Sequence, residues 1–245
     1  MFKKIAALAG KIKKRSMKTG DTYYGDKARE YHKKRIGLKK WQIEQSVVQE
    51  YLAEVPDGSS VLDLPFGTGR FVPFYLEKGM TIYGMDISND MIDAAREVLG
   101  DAFNKCHITV GDATAALPFS DNFFDVAVCW RFLKFFSYNT AAHILKELHR
   151  VTRSTIILRM IVRKEEAPPV GPPRRLKKLG GNIYEKDFLE LLNQTGFTVI
   201  QRKKIYDGAE EESYGFESEK QKEIKKANLI FAYMLKKRSD ELDNQ

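Results

Sequence analysis

The chain has 245 residues, of which 43% are hydrophobic and 30% charged, a balance typical of a soluble globular protein with one large domain. No apolar run approaches the roughly 18 residues that span a bilayer, and the two cysteines lack the CxxC spacing of a zinc site. We therefore expect a cytoplasmic protein with no structural metal. The net charge of +8 arises in residues 1–40, which carry +11 and leave −3 for the rest. This distribution disfavours a nucleic-acid-binding face on the folded part.

The first 40 residues form a basic N-terminal arm. Its opening stretch, MFKKIAALAGKIKKR, places Phe2, Ile5, Leu8 and Ile12 at near-helical spacing among lysines, a pattern typical of a basic amphipathic helix. Three interpretations stay open for residues 1–15: a solvated tail, weak docking to an anionic membrane or a partner, and a targeting role.

The second half of the arm, TGDTYYGDKAREYHKKR, is predicted to form a turn followed by a helix. It concentrates aromatic side chains, which we expect to line a lid over a ligand site. These side chains are Tyr23, Tyr24, Tyr31 and His32.

Residues 41–245 are predicted to form a single α/β domain. Its apolar periodicity predicts strands at 60–64, 80–85, 107–110, 124–130 and 154–161, and helices at 41–53, 70–78, 89–99, 139–150 and 185–195. This alternation predicts a doubly wound, mostly parallel sheet with helices on both faces. Two further strands, FTVIQRKKIYD and ANLIFAYMLKKR, suit an antiparallel final pair, and residues 163–182 and 207–226 are predicted to be surface insertions.

The stretch VLDLPFGTGRF joins the first strand to a helix through a turn with two glycines. Glycines at this place allow the backbone to approach a ligand closely. A dinucleotide fingerprint, GxGxxG, would need a third glycine where Val72 stands. The absence of this third glycine argues against the nicotinamide-dependent oxidoreductases.

Three acidic residues stand at the ends of three consecutive strands. Asp63 lies near the end of the first predicted strand, Asp86 is the last residue of the second strand, TIYGMD, and Asp112 follows the third strand in VGDATAALPF. In an open parallel sheet, ligands bind outside the carboxyl ends of the strands. A nucleoside with a small group in place of a pyrophosphate would meet all three carboxylates.

These motifs together resemble those of class I S-adenosylmethionine-dependent methyltransferases over roughly residues 45–200. VLDLPFGTGRF is similar to the glycine-rich motif DxGxGxG of that superfamily, and GMDIS and GDATAALPFSDNFFDVAV are similar to its next three motifs. The resemblance implies a Rossmann-like seven-stranded sheet with an antiparallel last strand. It also implies S-adenosyl-L-methionine as cofactor.

The resemblance also implies a set of cofactor-binding residues. Asp63 would hold the amino group of the cofactor, Asp86 the ribose hydroxyls, and Asp112 with Ala113 the adenine. The complete set is Asp63, Gly67, Thr68, Gly69, Asp86, Ile87, Asp112, Ala113, Cys129 and Trp130. Pro65 departs from the motif, because it stands where the first glycine of the motif lies and offers no backbone donor.

The methyl acceptor is open at this stage. A small molecule or a lipid- or glycan-linked acceptor fits better than RNA, because the chain lacks the Asn-Pro-Pro-aromatic signature of amino-group methylation on nucleic acids. LPFSDNFFD is also similar to quinone-biosynthesis C-methyltransferases. The alternatives are an RNA or protein methyltransferase and a module that binds the cofactor without turnover.

Four side chains are candidates for contact with the acceptor: Tyr24, Tyr31, Arg131 and Lys134. Trp130, Phe132 and Phe135 are expected to wall the acceptor, while His107, His143 and His149 are interpreted as structural. We assign no catalytic base, since only a hydroxyl, an acidic carbon or a protonated amine needs one.

Overall fold

The computed structural model describes residues 23–167, 179–208, 222 and 225–238. The amphipathic stretch 1–15 lies outside the described residues, as do most of the two expected insertions. Within the described part of the chain, none of the helices has the length and apolarity needed to cross a membrane.

Seven strands form one sheet in the order β3-β2-β1-β4-β5-β7-β6. The strands are β1 (Ser60–Asp63), β2 (Thr81–Asp86), β3 (Cys106–Val110), β4 (Phe124–Cys129), β5 (Thr152–Arg163), β6 (Phe197–Asp207) and β7 (Asn228–Lys237). Strand β7 runs antiparallel to both β5 and β6, whereas the pairs among β1 to β5 are parallel. The expected Rossmann-like sheet with an antiparallel last strand is confirmed.

Six α-helices accompany the sheet within the described residues. They are α1 (Asp26–Lys33), α2 (Lys39–Ala53), α3 (Val72–Glu77), α4 (Asn89–Leu99), α5 (Tyr138–Val151) and α6 (Glu185–Gln194). Helix α4 has the predicted bounds, and Ser88 caps it by accepting a hydrogen bond from the Met91 amide at 3.3 Å. Helix α3 begins later than the predicted residue 70, because the glycine turn still occupies that position.

Strand β5 is longer than its sequence pattern predicted. Apolar patterning suggested residues 154–161, but the strand runs from Thr152 to Arg163. Nine consecutive residues, 155–163, pair with β7, so backbone hydrogen bonding to the antiparallel neighbour extends the strand past its apolar run.

Two apolar clusters pack on opposite faces of the sheet. In β1, Val61 packs into the cluster that contains Val48 of α2, whereas its neighbour Leu62 packs into the cluster that contains Ile144 of α5. This alternation follows from the two-residue period of a strand. Both faces are therefore covered, as a doubly wound sheet requires.

The sheet order reverses between β1 and β4. From β1 the chain proceeds outward to β2 and β3, and then returns to the other side of β1 with β4 and β5. A crevice forms outside the carboxyl ends of the strands at such a switch point. The loops that follow β1, β2 and β4 all open into this crevice.

Candidate active site

A cavity of about 860 Å³ occupies the crevice at the switch point. Pockets for small ligands typically measure about 300–1,000 Å³, so this cavity has room for a large ligand or for two smaller ones. Most residues singled out in the sequence line it: Tyr24, Tyr31, Asp63, Gly67, Thr68, Asp86, Ile87, Asp112, Ala113, Trp130 and Arg131.

Three residues of the predicted cofactor and acceptor sets lie outside this lining, as does His32 of the expected lid, whose Nδ1 lies 3.3 Å from Thr68 Oγ1. A Cβ on Gly69 would lie 2.6 Å from the Leu99 side chain, so Gly69 serves close packing behind the turn. Cys129 is buried with 1% of its surface exposed, and the Lys134 ammonium lies 5.0 Å from the ring centroid of Phe135. The geometry therefore gives none of the three a place in the cavity wall.

The glycine turn is fixed to the neighbouring strand. The Gly67 amide donates to Asp86 Oδ2 at 2.8 Å, and the Phe66 amide donates to the Met85 carbonyl at 2.9 Å. Gly67 has φ +56°, a conformation that favours glycine, and the Leu64–Pro65 peptide bond before it is cis. The turn thereby presents its backbone to the cavity.

Asp86 is buried at the end of β2 and is oriented by two backbone donors. Its Oδ2 accepts from Gly67, and its Oδ1 accepts from the Ser88 amide at 2.9 Å. Burial raises the pKa of this carboxyl, and the backbone hydrogen bonds oppose that shift. Each carboxylate oxygen can accept a further hydrogen bond, so Asp86 can receive hydroxyl groups of a ligand.

Asp63 and Asp112 complete the carboxylate end of the cavity, which we define as Asp63, Asp86 and Asp112. Burial raises the pKa of Asp63 well above its ordinary value, although Tyr75 and Arg70 lower it. Within the described residues, Asp63 Oδ2 is a buried oxygen with no hydrogen-bond partner. Asp112 Oδ1 accepts from the amide and the hydroxyl of Thr114, at 2.9 and 2.8 Å.

A buried ion cluster lies behind another part of the cavity wall, to which two of its arginines, Arg70 and Arg131, belong. Its centre is Glu44 of α2, whose side chain is fully buried. The Glu44 carboxylate binds three arginines: Arg70 at 3.0 Å, Arg131 at 3.0 Å and Arg159 at 3.0 Å. These cations hold the pKa of Glu44 well below its ordinary value although burial acts to raise it. We call these four residues the arginine end.

Neutral donors complete the coordination of the Glu44 carboxylate. Trp130 Nε1 donates to Oε2 at 3.0 Å, and the Tyr206 hydroxyl donates to Oε1. Arg70 additionally stacks on the Trp41 ring, with its guanidinium carbon 3.6 Å from the ring centroid. The cluster therefore ties together α2, the glycine turn and strands β4, β5 and β6.

Sequence reasoning named Arg131 as an acceptor contact but missed the other members of the arginine end, Glu44, Arg70 and Arg159. The apolar periodicity of residues 41–53 predicts a helix that packs through its apolar side chains, but Glu44 lies on the buried face of this helix with Trp41, Val47 and Val48. The usable signal was an acidic residue three positions after Trp41, on the buried stripe. An acid at such a position requires a buried cation.

His143 also differs from its sequence-based interpretation as a structural residue. It is exposed on α5 and lines the cavity together with Asn139 and Thr140. His107 stacks on the Tyr83 ring at a centroid distance of 4.8 Å, and His149 lies 5.2 Å from Phe197. His143 is thus the member of this trio that faces the cavity.

The arm covers the cavity from above. The Tyr23 carbonyl accepts from Ser88 Oγ at 2.9 Å, and the Gly25 amide donates to Asp90 Oδ2 at 2.9 Å. The Tyr23 ring lies 5.4 Å from that of Tyr31 and 6.4 Å from that of Phe135. These contacts place the arm tyrosines in the cavity wall, where a lid was expected.

Comparison with known proteins gives a family match in the part of the chain that builds this site. A family model described as a methyltransferase domain matches residues 61–155. The chain is 31% identical over 128 residues to the demethylmenaquinone methyltransferase of Renibacterium salmoninarum. That alignment covers 52% of this chain, and the chain spans about half (50%) of the length of this curated relative.

Solved structures share the fold. The crystal structure of the cyclase SpnF has a TM-score of 0.61 at 15% identity, covering 81% of this chain and 83% of that one. The magnesium protoporphyrin IX methyltransferase of Synechocystis PCC 6803, solved with bound SAH, has a TM-score of 0.55 at 17% identity. The match covers 82% of this chain and 84% of that one. Since a cyclase and a methyltransferase share this architecture, the fold alone does not fix the reaction.

Proposed function

We propose that this chain, which belongs to the class I S-adenosylmethionine-dependent methyltransferase superfamily, binds S-adenosylmethionine in the cavity and transfers its methyl group to a small-molecule acceptor. The observation that carries the proposal is the carboxylate end. Asp63, Asp86 and Asp112 stand at three strand ends around one glycine turn and face one cavity. The chain thus offers anionic acceptors for an ammonium group, a pair of ribose hydroxyls and an adenine amino group.

The residues present fit that cofactor. The buried oxygen Asp63 Oδ2 lacks a partner within the described residues, and an ammonium group would satisfy it. Asp86 is held by the Gly67 and Ser88 amides with acceptor capacity left over for ribose hydroxyls. Next to these carboxylates, Gly67 has no Cβ that would narrow the approach.

The cofactor, when bound, supplies a methyl group already activated on a positively charged sulfur. The protein then has to align the acceptor and exclude water. Aromatic side chains of the arm and of the loop after β4, including Tyr23, Tyr31 and Phe135, wall the cavity for this purpose. His143 is the imidazole in the wall that can take a proton from an acidic acceptor atom as its bond to the methyl carbon forms.

A small-molecule acceptor is supported by the relatives and by the shape of the site. Two similar proteins are named as methyltransferases of demethylmenaquinone and of magnesium protoporphyrin IX. The cavity is covered by the arm and walled by aromatic rings, an arrangement that suits a compact, unsaturated molecule better than a nucleic acid or a protein chain.

Titration calorimetry tests the proposal with S-adenosylhomocysteine and, for contrast, NAD. We expect the wild type to bind S-adenosylhomocysteine and to show no binding of NAD. Asp86→Ala should weaken the binding of S-adenosylhomocysteine by at least about 10- to 100-fold, since each charge-assisted hydrogen bond that it removes contributes about 1.5–3 kcal/mol. Asp93→Ala on the exposed side of α4 is the matched control. Equal affinity in Asp86→Ala and wild type, with both folded, would remove Asp86 from the site.

We also propose weak, salt-sensitive contact of residues 1–15 with anionic membranes, on the strength of their alternating apolar and cationic side chains. Such contact would suit a lipid-linked acceptor. Co-sedimentation with vesicles should require anionic lipid and should disappear when residues 1–15 are removed. Equal binding to neutral vesicles would contradict this proposal.

A further inference from the structure

Most charged groups of the two ends lie on opposite sides of the switch point, whereas Asp63 and Arg70 belong to the β1 end and its turn, between them. Asp86 and Asp112 follow β2 and β3, whereas Arg131 follows β4 and Arg159 lies within β5. Neighbouring strands lie about 4.8 Å apart, so the β2 and β4 ends are about 10 Å apart. A nucleoside bound to the carboxylates therefore leaves the β4 side of the cavity to another group.

Two guanidinium groups form part of the cavity wall on that side. Arg70 and Arg131 both line the cavity, and their side chains are only 8% and 12% exposed. Both are fixed by Glu44, so their geometry is set before any ligand arrives. Guanidinium groups held in this way are suited to planar acidic groups such as carboxylates.

The arginine end carries more positive than negative charge, and this charge is buried. Arg70, Arg131 and Arg159 share the single Glu44 carboxylate. Burial and the charge of Arg131 lower the pKa of Arg70, and Glu44 opposes this shift. A second anion placed against Arg70 and Arg131 would therefore be stabilised in a medium of low dielectric constant.

The loop after β4 adds an aromatic, apolar part of the cavity wall beside the arginines. Phe132, Phe135 and Phe136 follow Arg131 directly in sequence and line the same cavity. Tyr23 of the arm meets Phe135 edge to face at 6.4 Å. An apolar wall with a cation beside it has the chemistry of a site for an unsaturated acid.

We propose that the methyl acceptor is an aromatic or otherwise planar molecule with an acidic group, and that Arg70 and Arg131 bind this group. The inference rests on the proposed function, because it assigns the carboxylate end to the cofactor. It names the acceptor class for the same site. The competing source of an acidic group is the carboxylate of the cofactor itself, and the experiment separates the two.

The test uses the full chain saturated with S-adenosylhomocysteine and titrated with three matched pairs of probes. The pairs are benzoate, 1-hydroxy-2-naphthoate and anthraquinone-2-carboxylate, each with its uncharged methyl ester. We expect at least one acid to bind about 10- to 100-fold more tightly than its ester, as charge-assisted hydrogen bonds imply. The absence of any acid preference in all three pairs would overturn the inference and leave the proposed function intact.

The variant Arg131→Gln then tests whether Arg131 causes the tighter binding of the acid than of its ester. Arg70 and Arg159 still hold Glu44 in this variant, and circular dichroism checks its fold. We expect the acid and the ester to bind it equally. The matched control is Arg153→Gln, which removes an exposed arginine paired with Asp125 at the start of β5; there the acid preference should persist.

The same variant distinguishes the acceptor from the cofactor. If Arg131 bound the cofactor carboxylate, Arg131→Gln would weaken S-adenosylhomocysteine but not 5′-methylthioadenosine, which lacks the amino acid part, and the inference would be overturned. Unchanged affinity for both, with lost acid preference, supports it. Failure of the wild type to bind S-adenosylhomocysteine would instead overturn the proposed function, and this inference with it.

Discussion

The carboxylate end and the arginine end of the cavity bury charge in opposite ways. Asp86 is buried against backbone amides, with no cation among its contacts in the described part of the chain, and its pKa is raised. Glu44 is buried against three arginines, and its pKa is lowered. The first arrangement leaves a carboxylate with unused acceptor capacity, as a binding site requires. The second uses its carboxylate to join distant parts of the chain.

This contrast indicates that the carboxylate end serves ligand binding and that the arginine end stabilises the fold. At the carboxylate end, turn and strand are joined over 19 residues of sequence, from Gly67 to Asp86. At the arginine end, Glu44 reaches Tyr206 over 162 residues. We expect changes at the arginine end to act first on folding, and changes at the carboxylate end to act first on binding.

The largest effect is expected for Glu44→Ala. The substitution leaves three buried guanidinium groups without their shared carboxylate, and removing one partner of a buried ion pair costs about 3–5 kcal/mol. The free energy of unfolding, measured by urea titration with circular dichroism, should fall by that amount.

The matched control is Glu50→Ala on the same helix. Glu50 pairs with Lys203 at an exposed site, where ion pairs contribute about 0–1 kcal/mol. Equal effects of the two substitutions would show that the cluster does not stabilise the fold, and the contrast between the two ends would fail.

The same contrast explains what could be predicted from the sequence. The doubly wound sheet and the carboxylate end follow from local patterns, because Asp63, Gly67 and Asp86 sit in contiguous strand-turn motifs. The strand order is known only from the structure. The arginine end brings residues 44, 70, 131, 159 and 206 together only through tertiary packing. Arg131 was singled out as an acceptor contact, but in one sequence Arg70 and Arg159 are indistinguishable from solvated surface residues. Glu44 carried a signal, through its place on the buried stripe of α2.

The second prediction compares two glycines of the same turn. Both Gly67 and Gly69 have positive φ, so alanine costs about 1–2 kcal/mol at either position. Gly69→Ala also forces its Cβ to 2.6 Å from Leu99 and 3.0 Å from Phe66, which adds about 1–3 kcal/mol of overpacking. Gly67→Ala has room, since its nearest neighbour is Met91 at 3.6 Å.

Urea titration and calorimetry with S-adenosylhomocysteine resolve the two glycines. Gly69→Ala should lose more stability, whereas Gly67→Ala should lose more affinity because only Gly67 lines the cavity. Gly79→Ala, with φ +61° and no atom within 4 Å of the added Cβ, gives the backbone cost alone. A larger affinity loss in Gly69→Ala than in Gly67→Ala would contradict the assignment of Gly67 to the ligand surface.

The smallest effect is expected from pH, which should affect the carboxylate end before the arginine end. Ribose hydroxyls need the ionised form of Asp86, whose folded pKa is raised above 3.8. Affinity for S-adenosylhomocysteine should therefore weaken as the pH falls toward that raised pKa, and by about tenfold per unit below it. Asp63, whose pKa is also raised, adds to this loss.

Glu44 behaves in the opposite sense. Its folded pKa lies below the ordinary 4.5, so the stability that it contributes is fully present above 4.5 and is lost only as the pH falls through the lower, folded value. Urea titrations should therefore show the Glu44 contribution, taken as the difference between wild type and Glu44→Gln, intact at a pH where calorimetry already shows weakened binding. Asp86→Asn should bind weakly with a shallower pH dependence, the remainder arising from Asp63. If the Glu44 contribution and the binding affinity declined together, the cations around Glu44 would not separate its titration from that of Asp86, and the contrast between the two ends would fail.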